Sequence, residues 1–71
     1  MSWTQPTYST MVASVGYDDE SNEMQVTWVK GGKTTIYAGV PEELAREVAN
    51  APSVGTAINT MIKGAYPYRT G

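Results

Sequence analysis

The chain contains no cysteine and no histidine among its 71 residues. Without cysteine it can form neither a disulfide framework nor a thiolate zinc site. Without histidine, zinc is left with carboxylate ligands alone, and the Ser-His and Cys-His nucleophile designs are excluded. Positive charge is also scarce. Five Lys and Arg stand against seven Asp and Glu, a net charge of −2. A domain that grips duplex phosphate is usually basic. Here Lys30, Lys33, Arg46, Lys63 and Arg69 are spread along the chain, which disfavours extended nucleic-acid binding but leaves enough charge for a nucleotide or a short single strand. No apolar run approaches the ~20 residues of a membrane span. The start Met1-Ser2-Trp3-Thr4-Gln5-Pro6 lacks the basic region and apolar core of a signal peptide. A soluble, cytoplasmic protein without membrane association is expected.

A chain of 71 residues makes one domain, 1–71, and a domain this small buries a modest fraction of its surface. Self-association is the remaining common way to add buried area, so a homo-oligomer is expected.

Residues 1–10 are polar, contain Pro6, and read as an arm that tucks Trp3 or Tyr8 onto the body. Met11 to Asp18 favours a strand, with Val15 and Tyr17 on one side. Asp18-Asp19-Glu20-Ser21-Asn22 is a turn, because Asp, Asn and Ser bond their own backbone. From Glu23 to Lys30, Met24, Val26 and Trp28 alternate with Gln25, Thr27 and Val29, the period of a half-buried strand. Gly31-Gly32 predicts a two-residue hairpin turn, since glycine supplies positive φ. Lys33 to Ala38 returns as a third strand, which pairs Trp28 with Tyr37 and places Gln25, Thr27, Lys33 and Thr35 on the outer face.

Pro41 suits the first helical position, and Glu42 and Glu43 suit the helix dipole. Leu44, Ala45, Val48 and Ala49 form an apolar helical face, which Asn50-Ala51-Pro52 ends. Ser53 is the expected N-cap of a second helix that buries Val54, Ala57, Ile58, Met61 and Ile62. Lys63 falls in its last turn, Gly64 at C′, and residues 64–71 form an aromatic tail. The fold class is therefore α+β: a small three-stranded antiparallel meander followed by two helices on one face, β-β-β-α-α.

These residues resemble the KTSC domain family, named for a segment at the C-terminus of some lysyl-tRNA synthetases. The matching elements are Val15-Gly16-Tyr17-Asp18, Met24-x-Val26-x-Trp28, Ile36-Tyr37-x-x-Val40-Pro41, Ala51-x-Ser53-x-Gly55 and Ile58-Asn59-x-x-Ile62-Lys63-x-x-Tyr66. The resemblance spans about residues 9–68. Trp28 stands where the family more often has phenylalanine. The resemblance implies a bacterial or phage protein, and the synthetase association implies RNA binding by context.

The candidate ligand-binding residues are Ser53, Gly55, Asn59, Lys63, Tyr66, Tyr68 and Arg69. Gly55, Asn59 and Lys63 recur every four residues, along one helix face. Ser53 and the first-turn amides offer a phosphate backbone donors. Asn59 can read a polar edge and Lys63 can neutralise charge. Tyr66 and Tyr68 can stack on a base, and Arg69 can add a charge-assisted bond. Each also has a structural reading: a cap for Ser53, close packing for Gly55, a loop bond for Asn59, a helix C-terminus for Lys63, and cover of the core edge for the tyrosines. The acidic turn Asp18-Asp19-Glu20 with Glu23 lacks the spaced ligands of an EF-hand, and Gly31-Gly32 is too short for a phosphate loop.

No nucleophile is spaced with a base, so a non-enzymatic binding module without metal or cofactor is expected. Its leading ligand is a small phosphate-containing molecule of nucleotide type. In a phage, sequestering a nucleotide signal in the host cytoplasm would serve counter-defence. The second reading is short single-stranded RNA binding through Tyr66, Tyr68, Lys63 and Arg69. The third is a protein–protein adaptor that uses an exposed sheet edge or the tail.

Overall fold

The computed structural model describes residues 2–71; Met1, part of the expected arm, lies outside them. The elements are β1 (Ser2–Pro6), β2 (Val12–Asp18), β3 (Glu23–Trp28), β4 (Thr34–Ala38), α1 (Glu42–Ala49), α2 (Val54–Ala57) and β5 (Tyr68–Thr70). The five strands form one antiparallel sheet in the order β1-β2-β3-β4-β5. The α+β class stands, but the expected three strands become five. Half of the arm is β1, and three residues of the tail are β5. Both are edge strands. An edge needs a partner on one side only, and it tolerates Pro6 at its end. Such short polar stretches carry little periodicity from which a strand can be read.

The helices cover the sheet face that presents Val15, Tyr17, Met24, Val26 and Tyr37. With Val12, Val40, Val48, Ile58 and Ile62, these side chains form the core. Across the opposite face, Thr4, Gly16, Gln25, Ile36 and Arg69 stand in register. Thr35 is opposite Val26, on the helix side, so the outer-face threonine is Thr34, whose hydroxyl lies 3.3 Å from that of Thr27. Tyr37 stands opposite Met24, four residues along β3 from Trp28. The expected Trp28–Tyr37 pair is not formed; the Trp28 indole N–H donates instead to Thr35 Oγ1 at 3.0 Å.

The β2–β3 turn forms as its composition implies: Asp18 Oδ1 accepts from the Glu20 N–H at 3.0 Å and Asn22 adopts φ 56°. The β3–β4 turn is wider than a two-residue hairpin. Trp28 N–H donates to the Lys33 carbonyl at 2.8 Å, which closes a loop over residues 29–32. Val29 is helical, and Gly31 and Gly32 have φ 79° and 62°. The helical turn lifts Val29 and Lys30 out of the strand.

Trp3 ties β1 to α1. Its ring stacks on Tyr17 with centroids 6.0 Å apart, its indole N–H donates to Glu42 Oε2 at 3.1 Å, and Arg46 lies 4.8 Å above the ring. Trp3 is thus the arm residue that tucks in, while Tyr8 is fully exposed.

Candidate functional site

The second helical run is not a uniform α-helix. α2 continues into a π turn over Ile58–Ile62, and the Lys63 N–H donates to the Ile58 carbonyl at 2.8 Å. The Thr60 hydroxyl donates to the Thr56 carbonyl at 2.9 Å. Such back-bonding competes with the helix ladder and loosens it. Lys63 follows in extended conformation, with φ −65° and ψ 125°, and Gly64 takes φ 85°. Lys63 therefore lies past the helix rather than in its last turn.

This geometry separates the expected stripe. Gly55 is buried, whereas Asn59 and Lys63 are exposed. A Cβ on Gly55 would stand 3.3 Å from the Met11 sulfur, so the glycine is a packing contact. Ser53 holds the N-cap position but does not cap with its side chain; its hydroxyl donates to Thr56 Oγ1 at 2.9 Å. Tyr66 is half-buried against the core and bridges to Lys63. Tyr68 and Arg69 lie on β5, opposite Tyr37 and Ile36. Tyr68 packs at the edge against Tyr37, with centroids 6.1 Å apart. Arg69 sits on the other sheet face from the helices and donates to Glu23 Oε2 at 2.6 Å. That bond holds the Glu23 carboxyl below its ordinary pKa and raises the Arg69 guanidinium. Of the seven residues, Lys63 and Tyr66 are brought together, Tyr68 and Arg69 point to opposite faces of the sheet, and the full set does not converge.

Two concavities are present, and of the seven candidates only Ser53 lines either of them. One, of about 500 Å³, runs between the arm and the α1–α2 connection. Its lining includes Gln5, Tyr8, Ser9, Asn50 and Ser53 and no charged residue. Gln5 spans its floor by donating to Asn50 Oδ1 at 2.8 Å.

The other, of about 650 Å³, is a largely apolar recess at the end of the sheet, lined by Thr10, Met11, Trp28, Val29, Lys30, Gly31 and Lys33. Met11 and Val29 are each 54% exposed. The Val29 N–H donates to the Met11 carbonyl at 3.0 Å, which ties the hairpin loop to the β1–β2 connection. The stem of Lys33 passes over Gly31. Among the described residues Arg46 pairs with Glu42 and Arg69 with Glu23, leaving Lys30, Lys33 and Lys63 as the cations outside these pairs. Two of those three lie on this recess. Sequence reasoning missed it. The available signal was Trp28-Val29-Lys30-Gly31-Gly32-Lys33, a tryptophan and two lysines around a turn, but the alternation assigned Trp28 wholly to the core.

Comparison with curated proteins found no match. Among solved structures, the crystal structure of a KTSC domain protein from Yersinia pestis is similar, with 30% identity and a TM-score of 0.89, over 100% of this chain and 99% of that one. The family model described as the KTSC domain matches residues 8–66. The chain belongs to the KTSC domain family.

Proposed function

We propose that the protein is a non-enzymatic binding module that captures a small phosphate-bearing ligand of nucleotide type, with the recess at the β3–β4 turn as its site. One observation carries this reading. In a chain of net charge −2, two cations outside the ion pairs, Lys30 and Lys33, stand on the rim of an apolar recess. A charge in an ion pair is already satisfied, whereas a free lysine beside apolar surface is available to an anion that covers that surface. The non-enzymatic part is supported by the use of several hydroxyls in local structure: Ser9 accepts from a turn amide, Thr27 and Ser53 pair with Thr34 and Thr56, and Thr60 donates to a helix carbonyl.

The exposed Met11 and Val29 also favour a second reading, in which the recess docks an apolar side chain of a protein partner. Native mass spectrometry of the intact protein with mono-, di- and cyclic nucleotides and pyrophosphate separates the two. Phosphate-bearing adducts that disappear in a Lys30→Ala/Lys33→Ala variant are the expected result. Absence of adducts across the panel would return the adaptor reading to the front. For a phage-encoded chain, capture without turnover would amount to sequestration of a nucleotide signal.

A further inference from the structure

The recess is larger and more apolar than a phosphate needs. We infer that its ligand carries a planar ring, a nucleobase rather than a bare phosphate, and that Met11, seated on Gly55, is the wall that places the ring. This inference rests on the reading above and deepens it by assigning the two parts of the ligand, the ring to the apolar floor and the phosphate to the rim, and by naming the side chain that places the ring.

The argument starts from the floor. A phosphate gains nothing from Met11, Trp28 and Val29, since its oxygens favour water or donors. A flat ring laid on these side chains removes apolar surface from water, and its phosphate can then reach Lys30 and Lys33 on the rim. The volume of about 650 Å³ lies within the range of small-molecule sites, roughly 300–1,000 Å³.

The wall is held in place from two directions. The Met11 N–H donates to Ser9 Oγ at 3.0 Å and the Met11 carbonyl accepts from Val29, so the backbone of the residue is anchored. Its side chain lies across Gly55, where an added Cβ would stand 3.3 Å from the sulfur and 3.8 Å from the Met11 Cβ. A methyl group at position 55 therefore asks the Met11 thioether to give by a few tenths of an ångström. That side chain is flexible and 54% exposed, and its open side is the recess. Gly55→Ala is expected to nudge the Met11 thioether by that amount and so perturb the wall while leaving both lysines untouched. Alanine is also the better helix former, which favours retention of the fold. Gly55 is thus a positioning residue that acts through Met11.

The test is an NMR titration of the intact, isotope-labelled protein. The probes are the common nucleoside mono- and diphosphates, with pyrophosphate and ribose 5-phosphate as ring-free controls. The two indole N–H signals separate the sites, because Trp28 lies on the recess and Trp3 is bonded to Glu42. At least one nucleotide is expected to bind roughly tenfold or more tighter than ribose 5-phosphate, the scale of one stacked base. It should move the Trp28 signal and leave that of Trp3 in place. Gly55→Ala is expected to reduce that preference without weakening ribose 5-phosphate. Met11→Ala, which deletes the wall and leaves the helix alone, should also reduce the preference, and it decides the matter if Gly55→Ala fails to fold. Ring-free probes that bind as tightly as nucleotides would overturn the ring inference and leave only phosphate capture at Lys30 and Lys33 standing. If no probe of either kind binds, both fall. A folded Gly55→Ala protein with unchanged nucleotide preference removes Met11 from the site.

Discussion

The Tyr17 hydroxyl donates a 2.6 Å hydrogen bond to the Val40 carbonyl, and so joins β2 to the bend that launches α1. Asn22 Oδ1 lies 3.2 Å from the same hydroxyl, and the Val40 N–H donates to the Asn22 carbonyl at 3.1 Å. One phenol thus closes the acidic end of the molecule. Val40 is fully buried, so its carbonyl has no water to fall back on. Tyr17→Phe is expected to cost about 1–3 kcal/mol, the penalty for stranding a buried acceptor. A urea midpoint unchanged from wild type would show that the bond contributes nothing net.

The same phenol sets an alkaline limit. Burial raises the Tyr17 pKa above the usual tyrosine value, and Glu42, Asp19 and Asp18 raise it further. A group whose folded pKa is raised stabilises fully below its unfolded pKa, about 10 for tyrosine. That contribution is lost as pH rises through the folded value. Unfolding in urea should become easier above about pH 10 in the wild type, and Tyr17→Phe should flatten that part of the profile. Tyr37, raised by burial and by Tyr68, contributes with the same sign, so the flattening is partial.

At the other edge, Glu23 and Arg69 hold β5. Glu23 has its pKa lowered, first by the hydrogen bond from Arg69, so its contribution is present above the unfolded carboxylate pKa and is lost as pH falls through the folded one. The pair is exposed, and its effect on global stability is small. Its effect should be local. Below about pH 4, or in Glu23→Gln, the β4–β5 amides are expected to exchange faster while those of β2 and β3 stay protected. Uniform protection across the sheet at acid pH would show that β5 is held by its backbone pairing alone.

Trp28 and Met24 test the division between core and recess. Met24 is fully buried, and Met24→Ala is expected to cost about 2–5 kcal/mol, enough to unfold much of a domain this size. Trp28 is half-buried at the sheet end. Trp28→Ala should therefore cost less than Met24→Ala, remain folded by circular dichroism, and lose nucleotide-dependent shifts. If instead Trp28→Ala unfolds the chain while Met24→Ala folds, the recess floor has been misassigned.

Much of the fold is legible residue by residue. Met24 and Val26 alternate with Gln25 and Thr27 because one sheet face meets the core. Ala45, Val48 and Ala49 recur at helical spacing because one stripe of α1 does. The Asx bond in the β2–β3 turn and the positive φ of Gly31, Gly32 and Gly64 also follow from local chemistry. The site is less legible. Gly55, Asn59 and Lys63 share a face only if the helix keeps its ordinary period, and the Thr60 back-bond with the π turn breaks it. Arg69 looks like a ligand-binding cation in isolation, but strand register places it beside Glu23, 46 residues earlier in the chain.

By itself, the sequence determined the class of the fold and much of its core, though not that Trp28, Leu44 and Met61 stay at its margin, because the periodicity of apolar side chains is a local property of the chain. It also excluded cysteine and histidine chemistry. Only the tertiary structure decided that the two ends of the chain become edge strands, that Met11 lies on Gly55, and that Lys30 and Lys33 meet an apolar floor. Those relationships join residues far apart in the chain, and they arise from strand register and packing, which no local pattern specifies.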